Sequence, residues 1–157
     1  MALQDGIFSD TWIKALSNDI ALDMGDTTPG VFKGALYTGA VAGGTINFDQ
    51  SNPAYNSSPF DANQSSGPGY SAGGLDITVI SLATLAGDAR RIGWKVDPLS
   101  WTGTTITAEG LLIYIPGLSN RALGYRWFGQ PYPTSDGDFD VNFHTDGALR
   151  QMLRAAA

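Results

Sequence analysis

Hydrophobic and polar residues alternate most regularly in residues 138–144, DFDVNFH. Phe139, Val141 and Phe143 fall on one side, with Asp138, Asp140, Asn142 and His144 on the other. A period of two marks a strand with one buried face. The run before it, residues 122–128, is expected to be a strand with Leu123, Tyr125 and Trp127 along one face. Asp136-Gly137 is a tight-turn dipeptide between the two, and Pro131 and Pro133 make that connection longer than a minimal hairpin. Further strands are expected at residues 31–38, 75–82, 90–96 and 104–115, the first of them buried.

Helical periodicity is confined to residues 9–24. Ser9 can cap, Asp10 suits the first turn, and Trp12, Leu16 and Ile20 recur every fourth position, flanked by Ile13 and Met24. Gly25 follows as the stop. Lys14 is the only basic residue there, so the stripe is expected to pack on the sheet rather than lie on a membrane. The last residues, LRQMLRAAA, favour helix but are too few to hold one alone.

Between these elements, residues 39–74 change texture to Gly, Ser, Asn and Pro, with aromatics at Phe48, Tyr55, Phe60 and Tyr70. A flexible linker needs no such aromatics, so this excursion is expected to have a structural or binding role. The pattern gives one domain over residues 1–157: a helix at about 9–24, an extended loop at 39–74, a sheet region at 75–146 and a short tail at 147–157. The expected fold is mainly β, an antiparallel β-sandwich or barrel-like domain with one N-terminal helix and a long polar loop.

Composition narrows the function. The length of 157 residues suits a single core. Charged residues make up only 15%, below the usual ~25%, so much of the surface is uncharged and easily desolvated against another protein. The net charge of −6, with Arg90-Arg91 as the nearest approach to a basic cluster, argues against nucleic acid. Glu109 is the only glutamate among the acids, and that preference for aspartate favours turns over helix. The absence of cysteine excludes disulfides and thiolate chemistry. No basic start with an apolar run and no ~20-residue apolar span is present, so neither a secretory signal nor a membrane helix is expected.

Candidate chemistry is sparse. His144, the only histidine, has Asp146 near in sequence but no evident nucleophile. Asp136, Asp138 and Asp140 open like a calcium loop, yet Val141 and Gly147 stand where that loop needs Gly and an acid, which leaves at most a weak oxygen-ligand cation site. Glu109 sits mid-strand, where a solvated or paired carboxylate is expected over a buried acid. The glycines of GPGYSAGG lack the lysine and helix of a phosphate loop and suit turns and close backbone approach. Trp94, Trp101 and Trp127 are weighed as a sugar-stacking platform against a place in the core, and the core is expected.

The order of elements resembles the small virion structural proteins of tailed bacteriophages. It runs helix, buried strand, polar excursion, G-x-G-Y-x-x-G-G at 67–74, W-x-G-x-T-I-T-A-x-G at 101–110 and F-x-V-x-F-H-x-D-G at 139–147. That resemblance implies a non-enzymatic particle component, most like the capsid decoration (cement) or minor head proteins, with no catalytic residues, cofactor or metal to carry over. It implies synthesis in a host cytoplasm and residence in the virion. Its partners would be the major capsid protein or other virion proteins, with a homo-oligomer possible in principle and neither nucleic acid nor membrane involved. Phe48, Tyr55 and Phe60 are the expected partner anchors, weighed equally against a role in covering the chain's own sheet. The alternative is a tail- or fibre-associated carbohydrate- or receptor-binding module, and a hydrolase built on Glu109 ranks last.

Overall fold

The computed structural model describes residues 5–39 and 46–152. Among these residues ten strands are present: β1 (Gly6–Ile7), β2 (Lys33–Tyr37), β3 (Leu75–Asp76), β4 (Val79–Leu85), β5 (Asp88–Val96), β6 (Leu99–Thr104), β7 (Thr107–Ile115), β8 (Arg121–Pro133), β9 (Gly137–Val141) and β10 (Leu149–Met152), with one α-helix, α1 (Ser9–Leu16), and a 3-10 turn at Pro116–Leu118. They form three antiparallel sheets, ordered β1-β8-β7-β2-β3, β10-β5-β4 and β6-β9. The arrangement is a sandwich and does not close into a barrel.

β7 explains the architecture. Its run Leu111-Leu112-Ile113-Tyr114-Ile115 is apolar without a break because both faces are covered. Leu111, Ile113 and Ile115 join Leu36, Trp94, Val96, Leu99, Trp101 and Phe139 in the core between the large sheet and the two smaller ones. Leu112 and Tyr114 point the other way, into a second core with Phe8, Tyr37, Phe60 and Tyr125. The long loop, residues 46–74, supplies the cover for that second face. It is joined to the sheet by single bridges, Tyr37 to Gln64 and Ala54 to Arg121.

Several expected elements take a different form. α1 ends at Leu16 rather than Met24, because Ser17-Asn18-Asp19 turns the chain: Asn18 is left-handed (φ 62°) and the Asp19 N–H returns to the Lys14 carbonyl at 2.9 Å. Ser9 does not cap the helix; its hydroxyl donates to Asp49 Oδ1 (2.7 Å) and its N–H to the Phe48 carbonyl (2.9 Å), fastening the loop instead. The expected strand 104–115 is present as β7, while its first residue, Thr104, ends a separate strand, β6, that the sequence pattern did not mark. β8 runs on through Pro131 and Pro133, with a register shift between Ala108 and Gly110 on its partner that gives the first proline an unpaired place. A second shift, opposite Ile113/Tyr114, turns Leu123 into the first core while Tyr125 and Trp127 face the second, so these three do not share a face. β8 and β9 do not form a hairpin: Asp136 makes its left-handed turn (φ 50°), but β9 pairs with β6. In the tail, residues 149–152 pair with β5 as a strand, tertiary pairing overriding a helical preference.

A buried ion pair ties α1 to β8 and to the loop. Arg121 Nη1 donates to Asp10 Oδ2 at 2.6 Å, and Nη2 to Asn52 Oδ1 at 2.7 Å, while the Asn52 N–H donates to Asp10 at 3.0 Å. Burial alone would raise the Asp10 carboxyl, but the Asn52 N–H, Arg121 and Lys14 outweigh it and hold the group below the ordinary carboxylate range. The pair's contribution is therefore present above about pH 4 and is lost as pH falls through the depressed folded-state value. Asp10→Ala should cost about 2–3 kcal/mol in urea unfolding, since it leaves Arg121 buried without a counter-charge. Adding Arg121→Met should recover part of that loss; a single-variant loss well below 1 kcal/mol would show that solvent already screens the pair.

Candidate functional site

The three expected anchors lie on the second core. Phe60 is 1% exposed, with its ring 5.4 Å from Tyr37, 5.7 Å from Tyr125 and 5.9 Å from Phe8. Phe48 packs on Phe8 at 5.2 Å, and Tyr55 stacks on Tyr114 at 4.5 Å and 12°. Phe60 thus has no surface to offer a partner, while Phe48 and Tyr55 keep partial exposure. Tyrosine hydroxyls fasten the loop as well: Tyr55 donates to Gln64 Oε1 (2.9 Å), Gln64 donates to Tyr70 (3.0 Å), and Tyr114 donates to the Gly73 carbonyl (3.0 Å). Where this loop rejoins the sheet, Gly74 is left-handed (φ 74°) and lies so close to the Gly34 carbonyl that a Cβ would collide with it.

A different surface is uncovered. A groove of about 470 Å³ runs between α1 and the β10-β5-β4 sheet, lined by Trp12, Leu16, Leu22, Leu82, Trp94 and Leu149 among others. Ile13 and Leu16 of α1, Ile80 and Leu82 of β4, and Met152 of β10 are between 44% and 76% exposed. Of these five, Leu16 and Leu82 line the groove, whereas Ile80, in the bulge opposite Lys95, and Met152, opposite Arg91, lie on the other face of the small sheet. The expected packing of the α1 stripe onto the sheet is only partial. Thr11, fully buried, takes the inward position by donating to the Ala122 carbonyl at 2.6 Å, which turns Ile13 and Leu16 outward. The sequence held a sign of this face: in residues 75–82 apolar groups occupy both parities, Ile77 and Val79 as well as Ile80 and Leu82. A bulge between Val79 and Ser81 brings Leu82 opposite Trp94, onto the face of Val79 and Val96, and leaves Ile80 on the other.

The second concavity, about 420 Å³, lies where the chain crosses from β8 to β9. Arg126, Phe128, Tyr132, Phe139, Asp140 and Asn142 are among its lining residues. Tyr132, 43% exposed, is the sixth of the exposed apolar group.

The remaining candidates are scattered. Asp136, Asp138 and Asp140 do not converge: Asp138 Oδ1 accepts the Gly103 N–H at 3.2 Å, and no group of three His, Asp or Glu side chains among the described residues could hold a metal ion. His144 is exposed, and its Nδ1 accepts the Asp146 N–H at 3.1 Å. Half-buried Glu109 lies against Gly39, and its charge, after burial itself, helps push the Tyr125 hydroxyl up. Trp94 and Trp101 are core residues. No helix among the described residues is long and apolar enough to cross a membrane. No protein-family model, curated protein or solved structure matches the chain.

Proposed function

We propose that this chain is a non-enzymatic structural protein of a tailed-phage virion, a capsid decoration protein that seats its apolar α1/β4/β10 face on the head lattice. The observation that carries the reading is the apolar lining of one groove by Trp12, Leu16, Leu22, Leu82 and Leu149, with Leu16 and Leu82 left exposed, on a chain with few charges elsewhere. Exposed apolar groups gathered in one place are the usual sign of a protein contact. The side chains come from two separate sheet-edge strands and a short helix, so the face is firm and requires little ordering on binding. Many copies on a lattice would add modest contacts into a stable shell.

The carbohydrate-module reading has less behind it, since two of the three tryptophans it would stack on are interior. The test is binding of the purified chain to heads that lack it. Leu16→Asp with Leu82→Asp should reduce occupancy by roughly 100-fold or more, because two leucines are worth about 3 kcal/mol or more when buried and each tenfold is about 1.4 kcal/mol. Thermal stability should be unchanged, both side chains being exposed already. Full occupancy by the folded double variant would remove this face from the mechanism.

A further inference from the structure

The cleft between β8 and β9 is met edge-on by both strands. Every residue from 138 to 142 lines it, as do Arg126, Trp127 and Phe128 in a row. A cleft lying over the face of a strand touches every second residue; one touching consecutive residues lies beside the strand, against its backbone. That side of β9 is free. β9 pairs only with β6, and no backbone hydrogen bond among the described residues joins residues 137–142 to anything else. Alternate N–H and C=O groups of β9 therefore point away from β6 with no protein partner, an open template for another strand.

Side chains around this edge specify what could add there. On the inner side Phe139 and Val141 are buried, with Phe128 6.1 Å from Phe139. On the outer side Asp138, Asp140 and Asn142 are exposed, and the Asp140 carboxylate makes no hydrogen bond or ion pair among the described residues. Directly opposed like charges disfavour pairing, so two copies of this edge would repel each other, whereas a strand carrying lysine or arginine on its outer side would be drawn in. Arg126 is the one basic residue in the lining. The volume, about 420 Å³, falls within the ~300–1,000 Å³ of ordinary ligand clefts.

We propose that this cleft binds an extended, basic polypeptide segment of a partner chain, which adds to the free edge of β9 as a third strand of the β6-β9 sheet. Its inner residues would sit beside Phe139 and Val141 and its outer, basic residues beside Asp138 and Asp140. Main-chain pairing supplies affinity and the alternation supplies register. The site is separate from the α1/β4/β10 face and does not depend on that face being the lattice contact.

The probe is a capped synthetic peptide of about six residues, a typical strand length, alternating valine with lysine. Controls are the same peptide N-methylated at alternate amides and one with glutamate in place of lysine. Binding is followed by backbone amide NMR and hydrogen exchange of the full chain. Saturable binding with protection of alternate amides in 138–142 is expected, at least tenfold weaker for the N-methylated peptide and for Asp140→Lys, and absent for the glutamate peptide. Asp140 is exposed, and an unchanged thermal midpoint for Asp140→Lys keeps the comparison valid. The Leu16→Asp/Leu82→Asp variant should bind the peptide normally, whatever its behaviour on heads. Equal binding of the N-methylated peptide, shifts confined to other regions, or no binding at millimolar peptide would overturn the proposal. So would glycan-array binding that Tyr132→Ala abolishes without any peptide effect, which would assign the cleft to a saccharide.

Discussion

Phe60→Ala is expected to destabilise the chain by about 3–5 kcal/mol, the range for removing a buried aromatic ring. That is a large share of the ~5–15 kcal/mol that holds a typical domain together. The ring is enclosed by Phe8, Tyr37 and Tyr125, which belong to three different strand or helix neighbourhoods, so no single movement closes the hole. The backbone around it would remain: the Phe60 N–H to the Ser57 carbonyl, and the Phe60 carbonyl accepting the Tyr37 hydroxyl at 3.2 Å. The expected result in urea is a lower midpoint for Phe60→Ala and a much smaller shift for Phe60→Leu, which fills most of the space. Amides of residues 46–65 should exchange faster in the alanine variant even where the large sheet stays protected, because the loop is held mainly by this core. A loss below about 1 kcal/mol would mean that the second core is not what fastens the loop. The same experiment bears on the anchor expectation: reduced head binding by Phe60→Ala would report a loosened loop, whereas Phe48 and Tyr55 can be tested as contacts directly.

What the sequence made legible is what depends on one neighbour at a time. β9 could be read because its outer face meets water, so every second residue is polar; β2 stood out as an apolar run between turn signals. The aromatics of the long loop were recognisable as residues with a task, but that task, covering the back of a sheet, depends on Leu112 and Tyr114 some fifty residues later. Register shifts were invisible. The extra residue that puts Leu123 opposite to Tyr125 carries no composition signal, and it alone decides which core each joins. The α1 stripe shows a similar limit: Ile13 and Leu16 declare an apolar face by their spacing, yet the threonine beside them takes the interior through one hydrogen bond. The β8/β9 cleft could not be anticipated, since it exists only because two consecutive strands pair into different sheets.

Alkaline unfolding is expected between about pH 10 and pH 12, driven by tyrosines. Burial, and then neighbouring tyrosines, pushes the Tyr37 hydroxyl far above its ordinary value; burial likewise raises Tyr70 and Tyr125, and pushes Tyr114 up to about 12. The unfolded chain ionises these groups near pH 10. A group whose folded-state value is raised contributes stability that is fully present below the unfolded value and disappears as pH climbs toward the folded one. Above pH 10 the unfolded state gains about 1.4 kcal/mol per pH unit for each tyrosine that the fold keeps protonated. Tyr37, Tyr114 and Tyr125 together then amount to about 4 kcal/mol per unit, enough to exhaust a stability of ~5–8 kcal/mol, the lower part of the usual range, within about two units. Absorbance at the phenolate band should show a cooperative jump that coincides with loss of the β-sheet circular dichroism. Tyr114→Phe should move that jump to higher pH once its lost hydrogen bond to Gly73, worth about 1 kcal/mol, is allowed for by comparison at neutral pH. Smooth titration of Tyr37, Tyr114 and Tyr125 near pH 10, with the sheet signal intact beyond pH 12, would mean that their hydroxyls reach water in the folded chain and that the loop does not seal the second core.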